Sequence, residues 1–158
     1  MAIRIGINGF GRIGRLVARL AANDPNIELV AVNDLVPADN LAYLLKYDTM
    51  HGRFLVDHKP AEVTATEDSF TVNGKTTKTM AVRDPAELPW GDMGVDYVLE
   101  STGLFTTYEA AHKHIENNGC KRVVISAPTK SPDQVKTLAY KVNHEEYDPA
   151  SDKIISNA

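Results

Sequence analysis

Gly9-Phe10-Gly11-Arg12-Ile13-Gly14, set in the stretch IRIGINGFGRIGRLVARLAAN (residues 3–23), decides the fold. Alone, GxGxxG is a weak pattern, because so few fixed positions recur by chance. Its surroundings give it meaning. Before it, Ile3 to Ile7 is a short β-rich run that ends at Asn8-Gly9. After it, Gly11 to Ala22 carries Ile13, Leu16, Val17, Leu20 and Ala21 at helical spacing, with Arg12, Arg15 and Arg19 off that face. Asp24-Pro25 breaks the helix. Ile27 to Val32 reads as a second buried strand ending at Asn33-Asp34. An acid therefore stands about 20 residues past Gly14, at the end of the next strand, as a dinucleotide-binding βαβ unit requires.

Each part has a physical reason. Gly9 permits the tight turn, Gly11 lets backbone approach a pyrophosphate, and Gly14 lets helix and strand pack closely. The free N–H groups at the helix start, with the positive end of its dipole, attract phosphate. Arg12 adds charge there. Asp34 can accept hydrogen bonds from adenosine ribose hydroxyls, and a 2′-phosphate would face its carboxylate, so NAD is expected over NADP. The cofactor-binding candidates here are Asn8, Gly9, Phe10, Gly11, Arg12, Ile13, Gly14 and Asp34. The alternative is a ligand-free glycine turn with a capping aspartate.

Strand-like and helix-like segments alternate further along, which predicts a mostly parallel sheet covered by helices. Pro37 to Tyr47 reads as a helix carrying Leu41, Leu44 and Leu45. Phe54 to Val82 is rich in Val and Thr, and Asn73-Gly74 lies between two such runs as a hairpin signal. Tyr97 to Glu100 resumes a buried strand and runs into Ser101-Thr102-Gly103. A helix is expected from Thr106, with Glu109 at capping-box spacing and a stop at Gly119 after Asn118. Arg122 to Ser126 is another strand, and Pro132 to Ala158 is expected to hold a short helix and two short strands, including Lys153 to Ser156. The fold class is α/β: a Rossmann-type doubly wound, mostly parallel sheet with an inserted antiparallel hairpin region.

The 158 residues suit one domain, 1–158. With 43% hydrophobic and 24% charged residues the chain can build a core. A net charge of -4 argues against nucleic-acid binding, which normally shows a basic patch. No apolar run approaches the roughly 18 residues of a membrane span. The opening MAIRIGINGFG has no signal-peptide pattern. Cys120, the single cysteine, excludes an internal disulfide and fits a reducing compartment. The expectation is a soluble, cytoplasmic protein with neither nucleic acid nor membrane as partner.

Other tempting residues read more plainly. Gly74-Lys75-Thr76 imitates the end of a P-loop, yet Ser69 stands where that loop needs glycine. Cys120 has Lys121 and Arg122 beside it, which could lower a thiol pKa, but a small filler role is expected. His112 and His114 do not share a helix face, so no metal site is expected. His144 falls in a loop-like stretch, and Glu145, Glu146 and Asp148 read as solvated surface.

INGFGRIGR (7–15), VNDL (32–35), LLKYDTMHGRF (44–54), STGLF (101–105), VVISAP (123–128) and VNHEEYD (142–148) together resemble glyceraldehyde-3-phosphate dehydrogenase, in order and from Ile3 to Ala158. The resemblance is to the first half of that family. It implies pyrophosphate contacts at Arg12 and Ile13, adenosine ribose at Asp34, adenine near Arg83, cofactor flanked by Thr102 and Gly103, and the nicotinamide side near Ser126. Leu35 and Pro37 after Asp34 resemble the NAD-specific members. The family's cysteine nucleophile lies in SNASCTTN, and this chain supplies Ser156-Asn157-Ala158 of it. No catalytic residue is therefore assigned, and the chain alone is expected to bind NAD without turnover. The resemblance implies glycolytic aldehyde oxidation by hydride transfer to NAD, a homotetrameric parent, and the missing catalytic domain or full-length subunits as partners. Two other readings stay open: a stand-alone NAD-binding or assembly-regulating module, and the cofactor half of a related enzyme acting on erythrose 4-phosphate.

Overall fold

A computed structural model describes residues 2–117 and 119–158. Met1 and Asn118, the latter preceding the expected helix stop, lie outside the described residues. Strand β1 (Ile3–Asn8), helix α1 (Arg12–Ala22) and strand β2 (Ile27–Asn33) form the opening βαβ unit. Helix α2 (Ala38–Lys46) follows, then a meander of β3 (Val63–Ala65), β4 (Ser69–Val72) and β5 (Lys75–Met80). Next come β6 (Tyr97–Glu100), the short helix α3 (Tyr108–His112), β7 (Arg122–Ile125), β8 (Lys136–Thr137) and β9 (Ile154–Ser156). These strands join one sheet in the order β8-β9-β7-β6-β1-β2-β5-β4-β3. Pairing is parallel from β8 through β5. It is antiparallel at β5–β4 and β4–β3. The inserted antiparallel region thus extends the main sheet, because β5 also pairs in parallel with β2.

Successive residues of a strand face opposite sides, so a sheet covered on both faces needs near-continuous apolar strands. Val32 of β2 packs with Ile7, Phe10, Leu41, Leu45 and Phe70 on the α1/α2 side. Its neighbour Ala31 packs with Trp90, Val98, Val123 and Ile125 on the α3 side. The rings of Phe10 and Phe70 stack at 5.6 Å, tying the glycine loop to the meander. From β1 the strand order grows one way through β2 and the other way through β6. In open α/β sheets such a reversal leaves a crevice at the carboxyl ends of the strands. No helix among the described residues is long and apolar enough to cross a membrane.

Asn73 and Gly74 both have positive φ, 46° and 82°, and turn the β4–β5 hairpin. The third helix departs from expectation: it ends at His112 and continues as turns through residue 117, short of the expected stop at Gly119. Thr107, not Thr106, caps it by accepting from the Ala110 N–H at 3.2 Å. Thr106 is unsuited to that role because it is buried and its carbonyl receives the Thr129 hydroxyl and the Lys130 N–H. The expected two short C-terminal strands are β8 and β9, whereas the expected short helix is a single 3-10 turn at His144–Glu146.

Candidate functional site

The site begins with three polar side chains where apolar ones would be expected. Asn33, Asn8 and Glu100 end strands β2, β1 and β6, and the register places them side by side. All three are at least 95% buried. Buried polar groups must be hydrogen-bonded, and these satisfy one another. Asn33 Nδ2 donates to Asn8 Oδ1 at 2.7 Å, and Asn8 Nδ2 donates to Glu100 Oε2 at 2.6 Å. Asn33 also takes the Val82 N–H at 2.8 Å, fixing the chain that leads to Arg83.

Above this row the glycine loop turns. Gly9 has φ +89°, and a Cβ there would lie 2.6 Å from the Thr102 nitrogen. The loop and the Ser101-Thr102 turn are thus in direct backbone contact, and Ser101 Oγ donates to the Gly9 carbonyl at 2.6 Å. A Cβ on Gly14 would collide with the Gly9 carbonyl oxygen and crowd Ile7 Cγ2 at 3.1 Å. A Cβ on Gly11 would meet nothing within 4 Å. Gly14 is required by packing, whereas Gly11 leaves open space in front of the backbone.

Gly11 is the N-cap of α1 and supplies no side-chain cap, and the first turn holds no acid. The orphan N–H groups of that turn, with the helix dipole, therefore favour an anion. Asp34 closes the opposite side. Its Oδ2 accepts the Phe10 N–H at 2.7 Å and its Oδ1 accepts the Val36 N–H at 3.1 Å. A carboxylate with two oxygens retains further acceptor sites for hydroxyls. The open cleft between Gly11 and Asp34 measures about 350 Å³. A Cβ-free wall, an uncapped helix start and a half-buried carboxylate suit a dinucleotide.

The structure gathers Asn8, Gly9, Gly11, Asp34, Arg83 and Thr102 around this cleft. It does not gather the others. Phe10 turns its ring into the core and gives its N–H to Asp34. Arg12 and Ile13 are exposed at the start of α1 outside the cleft lining, and Gly14 is buried behind it. Gly103 takes φ +75° in the turn after Thr102 but does not line the cleft. Ser126 lies behind Glu100, donating its N–H to the Glu100 carbonyl at 2.9 Å. Asn33, Ser101 and Phe105 also line the cleft, although the sequence reading passed over them. Asn33 and Ser101 each adjoin an assigned residue, and that adjacency was the available signal.

The remaining candidates separate from the site. Cys120 is buried, its thiol donates to the Arg122 carbonyl at 3.2 Å, and burial pushes its pKa up to about 12. Lys121 and Arg122 do not activate it. His112 pairs with Glu116 on the surface, while His114 is fully buried. Among the described residues no cluster of three His, Cys, Asp or Glu side chains could hold a metal.

Residues 3–108 match the sequence profile of the family described as glyceraldehyde 3-phosphate dehydrogenase, NAD binding domain. Over 156 residues the chain is 57% identical to glyceraldehyde-3-phosphate dehydrogenase 1 of Trichormus variabilis, covering 99% of this chain and 44% of that protein. It is 52% identical over 158 residues to glyceraldehyde-3-phosphate dehydrogenase of Geobacillus stearothermophilus, covering 100% of this chain and 45% of the relative. The protein of the same name from Streptomyces coelicolor is 53% identical over 159 residues. The chain spans less than half the length of these relatives.

Proposed function

This chain belongs to the glyceraldehyde 3-phosphate dehydrogenase family, an oxidoreductase family, through that family's NAD-binding domain, and we propose that it serves as the cofactor half of a phosphorylating, glycolytic enzyme. NAD bound there would accept hydride from the aldehyde of glyceraldehyde 3-phosphate. The observation that carries the reading is the cleft where the uncapped α1 start, the bare Gly11 backbone and Asp34 converge.

In this reading residues 1–158 act as one cofactor domain. The first-turn N–H groups of α1 hold the pyrophosphate, with Arg12 and Ile13 as the residues nearest it in sequence. Asp34 accepts from the adenosine ribose and repels a 2′-phosphate, which sets NAD above NADP. Arg83 would lie by the adenine and Asn8 and Thr102 would border the dinucleotide; Gly103 and Ser126, which stand outside this cleft, would meet the cofactor only where it extends past the Thr102 turn, Ser126 on the nicotinamide side. Further subunits, in a homotetramer, would cover exposed apolar side chains such as Tyr43 and Met50, which are 62% and 84% exposed. The buried, unactivated Cys120 suits a reducing cytoplasm.

A chimera tests the enzymatic part. This chain replaces the matching stretch of the Geobacillus stearothermophilus relative, and NADH formation is followed at saturating aldehyde. The reading expects phosphate-dependent NAD reduction with glyceraldehyde 3-phosphate. A folded, NAD-binding chimera that does not reduce NAD contradicts the assignment of this chain as the cofactor half of such an enzyme.

A further inference from the structure

The buried row under the cleft continues into a histidine and a tryptophan that cofactor binding has not so far involved. Glu100 is 1% exposed and His114 0%. Taking a carboxylate out of water is costly unless donors surround it. Glu100 Oε1 accepts the Thr102 N–H at 2.9 Å and also the Thr102 hydroxyl. Glu100 Oε2 receives Asn8 Nδ2 at 2.6 Å and meets His114 Nε2 at 2.9 Å. The other ring nitrogen, His114 Nδ1, lies 3.0 Å from Trp90 Nε1. Indole N–H can only donate, so Nδ1 is the acceptor and the ring proton sits on Nε2, pointing at Glu100. The hydrogen-bond chain therefore runs in one direction, from Trp90 through His114 to Glu100.

Two of the residues held by Glu100, Asn8 and Thr102, line the cleft. Thr102 Oγ1, with its hydrogen directed to Glu100, accepts the Leu104 N–H at 3.0 Å and closes the turn that abuts Gly9. We propose that Glu100 and His114 are positioning residues for the NAD site: Glu100 sets the Asn8 amide and the Thr102 turn, and His114, oriented by Trp90, sets Glu100. The inference rests on the cleft being where NAD binds.

An isosteric Glu100→Gln cannot satisfy the arrangement. With its amide oxygen toward Thr102, its NH₂ faces two donors, Asn8 Nδ2 and His114 Nε2. Rotating Asn8 breaks its bond with Asn33, and moving the His114 proton sets a donor against Trp90. With the amide reversed, its NH₂ faces the Thr102 N–H. One cleft-lining residue is released either way.

The test is calorimetric NAD titration of the 158-residue chain as E100Q, T102V and the double variant beside the native protein. E100Q is expected to weaken NAD binding about tenfold or more, the size of one lost hydrogen bond to a charged group. In the T102V background it should cost a smaller factor, because both changes act on the same turn. T102S, which keeps the hydroxyl, should bind NAD more tightly than T102V. A folded E100Q with native NAD affinity, or full additivity of the two changes, overturns the proposal. Should E100Q not fold, the native chain decides. Trp90 is the one tryptophan, so its indole N–H gives a single cross-peak in a ¹H–¹⁵N spectrum. That peak moves on NAD saturation if the chain of bonds is coupled to the cleft, and an unmoved peak overturns the proposal. Failure of the native chain to bind NAD refutes the binding reading itself, a result distinct from native-like binding by E100Q.

Discussion

Asp34→Asn separates the two jobs assigned to one carboxylate. In the native chain its oxygens accept the Phe10 and Val36 N–H groups at 2.7 and 3.1 Å, stapling the glycine loop to the end of β2. Asparagine keeps the size but only one acceptor oxygen, so one of these N–H groups faces an amide nitrogen. At this half-buried position water replaces part of the lost bond, and the stability cost is about 1–2 kcal/mol. For a chain of this length that lowers the melting temperature by roughly 2–8 °C. The cofactor effect is separate. Ribose hydroxyls lose a charged acceptor, and NAD affinity should fall about ten- to hundredfold. NADP loses a like-charge neighbour, so its affinity should fall less or rise, and the NAD/NADP ratio should move toward unity. Thermal denaturation and paired calorimetric titrations read the two effects independently. A folded variant that keeps the native NAD/NADP ratio would remove Asp34 from the ribose site.

Other consequences are equally specific. Gly14→Ala drives a methyl into the Gly9 carbonyl and should cost about 1–3 kcal/mol in denaturant unfolding, as overpacking does; an unchanged midpoint contradicts the packing account. Cys120 should resist a maleimide at pH 8 in the native state, because burial holds its pKa up to about 12, and should react on unfolding. Stoichiometric native labelling within minutes contradicts this, and Cys120→Ser should leave NAD binding unchanged. The Asp48 carboxyl is held down to about 2 by the His51 N–H first, then the His51 ring and the Met50 N–H. Its folded pKa lies below the unfolded value, so this contribution is present above roughly pH 4 and is lost as pH falls toward 2. Acid-denaturation curves of Asp48→Asn should be flatter in that window, and superimposable curves contradict the assignment.

Much of the fold was legible because its signals are local. The helical period of Gly11 to Ala22, the turn at Asn73-Gly74 and the distance from Gly14 to Asp34 all fall within a few tens of residues. The period did not fix the buried face: α1 packs Gly14, Ala18 and Ala21 inward, whereas Ile13 and Leu20 of the expected apolar face are exposed, because the close approach of helix to sheet admits only small residues. The limits are physical too. Choosing Thr106 or Thr107 as the cap depends on a distant segment, since Thr129 and Lys130 occupy the Thr106 carbonyl. Lys136–Thr137 is a strand only because β9 pairs with it, and two polar residues carry no period of their own. Half of the site was readable for the same reason: Gly9, Gly11 and Asp34 belong to one short motif. Glu100 and His114 are separated from Asn8 by 92 and 106 positions, and only the sheet register and the turn after α3 bring them together. Phe10 shows the converse, because a motif position does not reveal which way its ring points; here it joins the core.

The most direct test of the cofactor site is calorimetric titration of NAD into the native chain and Gly11→Val side by side. A Cβ at Gly11 meets no protein atom within 4 Å, so the variant should fold, at the modest cost of placing valine at a helix N-cap. The account predicts saturable one-to-one NAD binding by the native chain and none by the folded variant. Equal NAD binding by both, or none by a folded native chain, would contradict the placement of the dinucleotide against the Gly9–Gly14 loop.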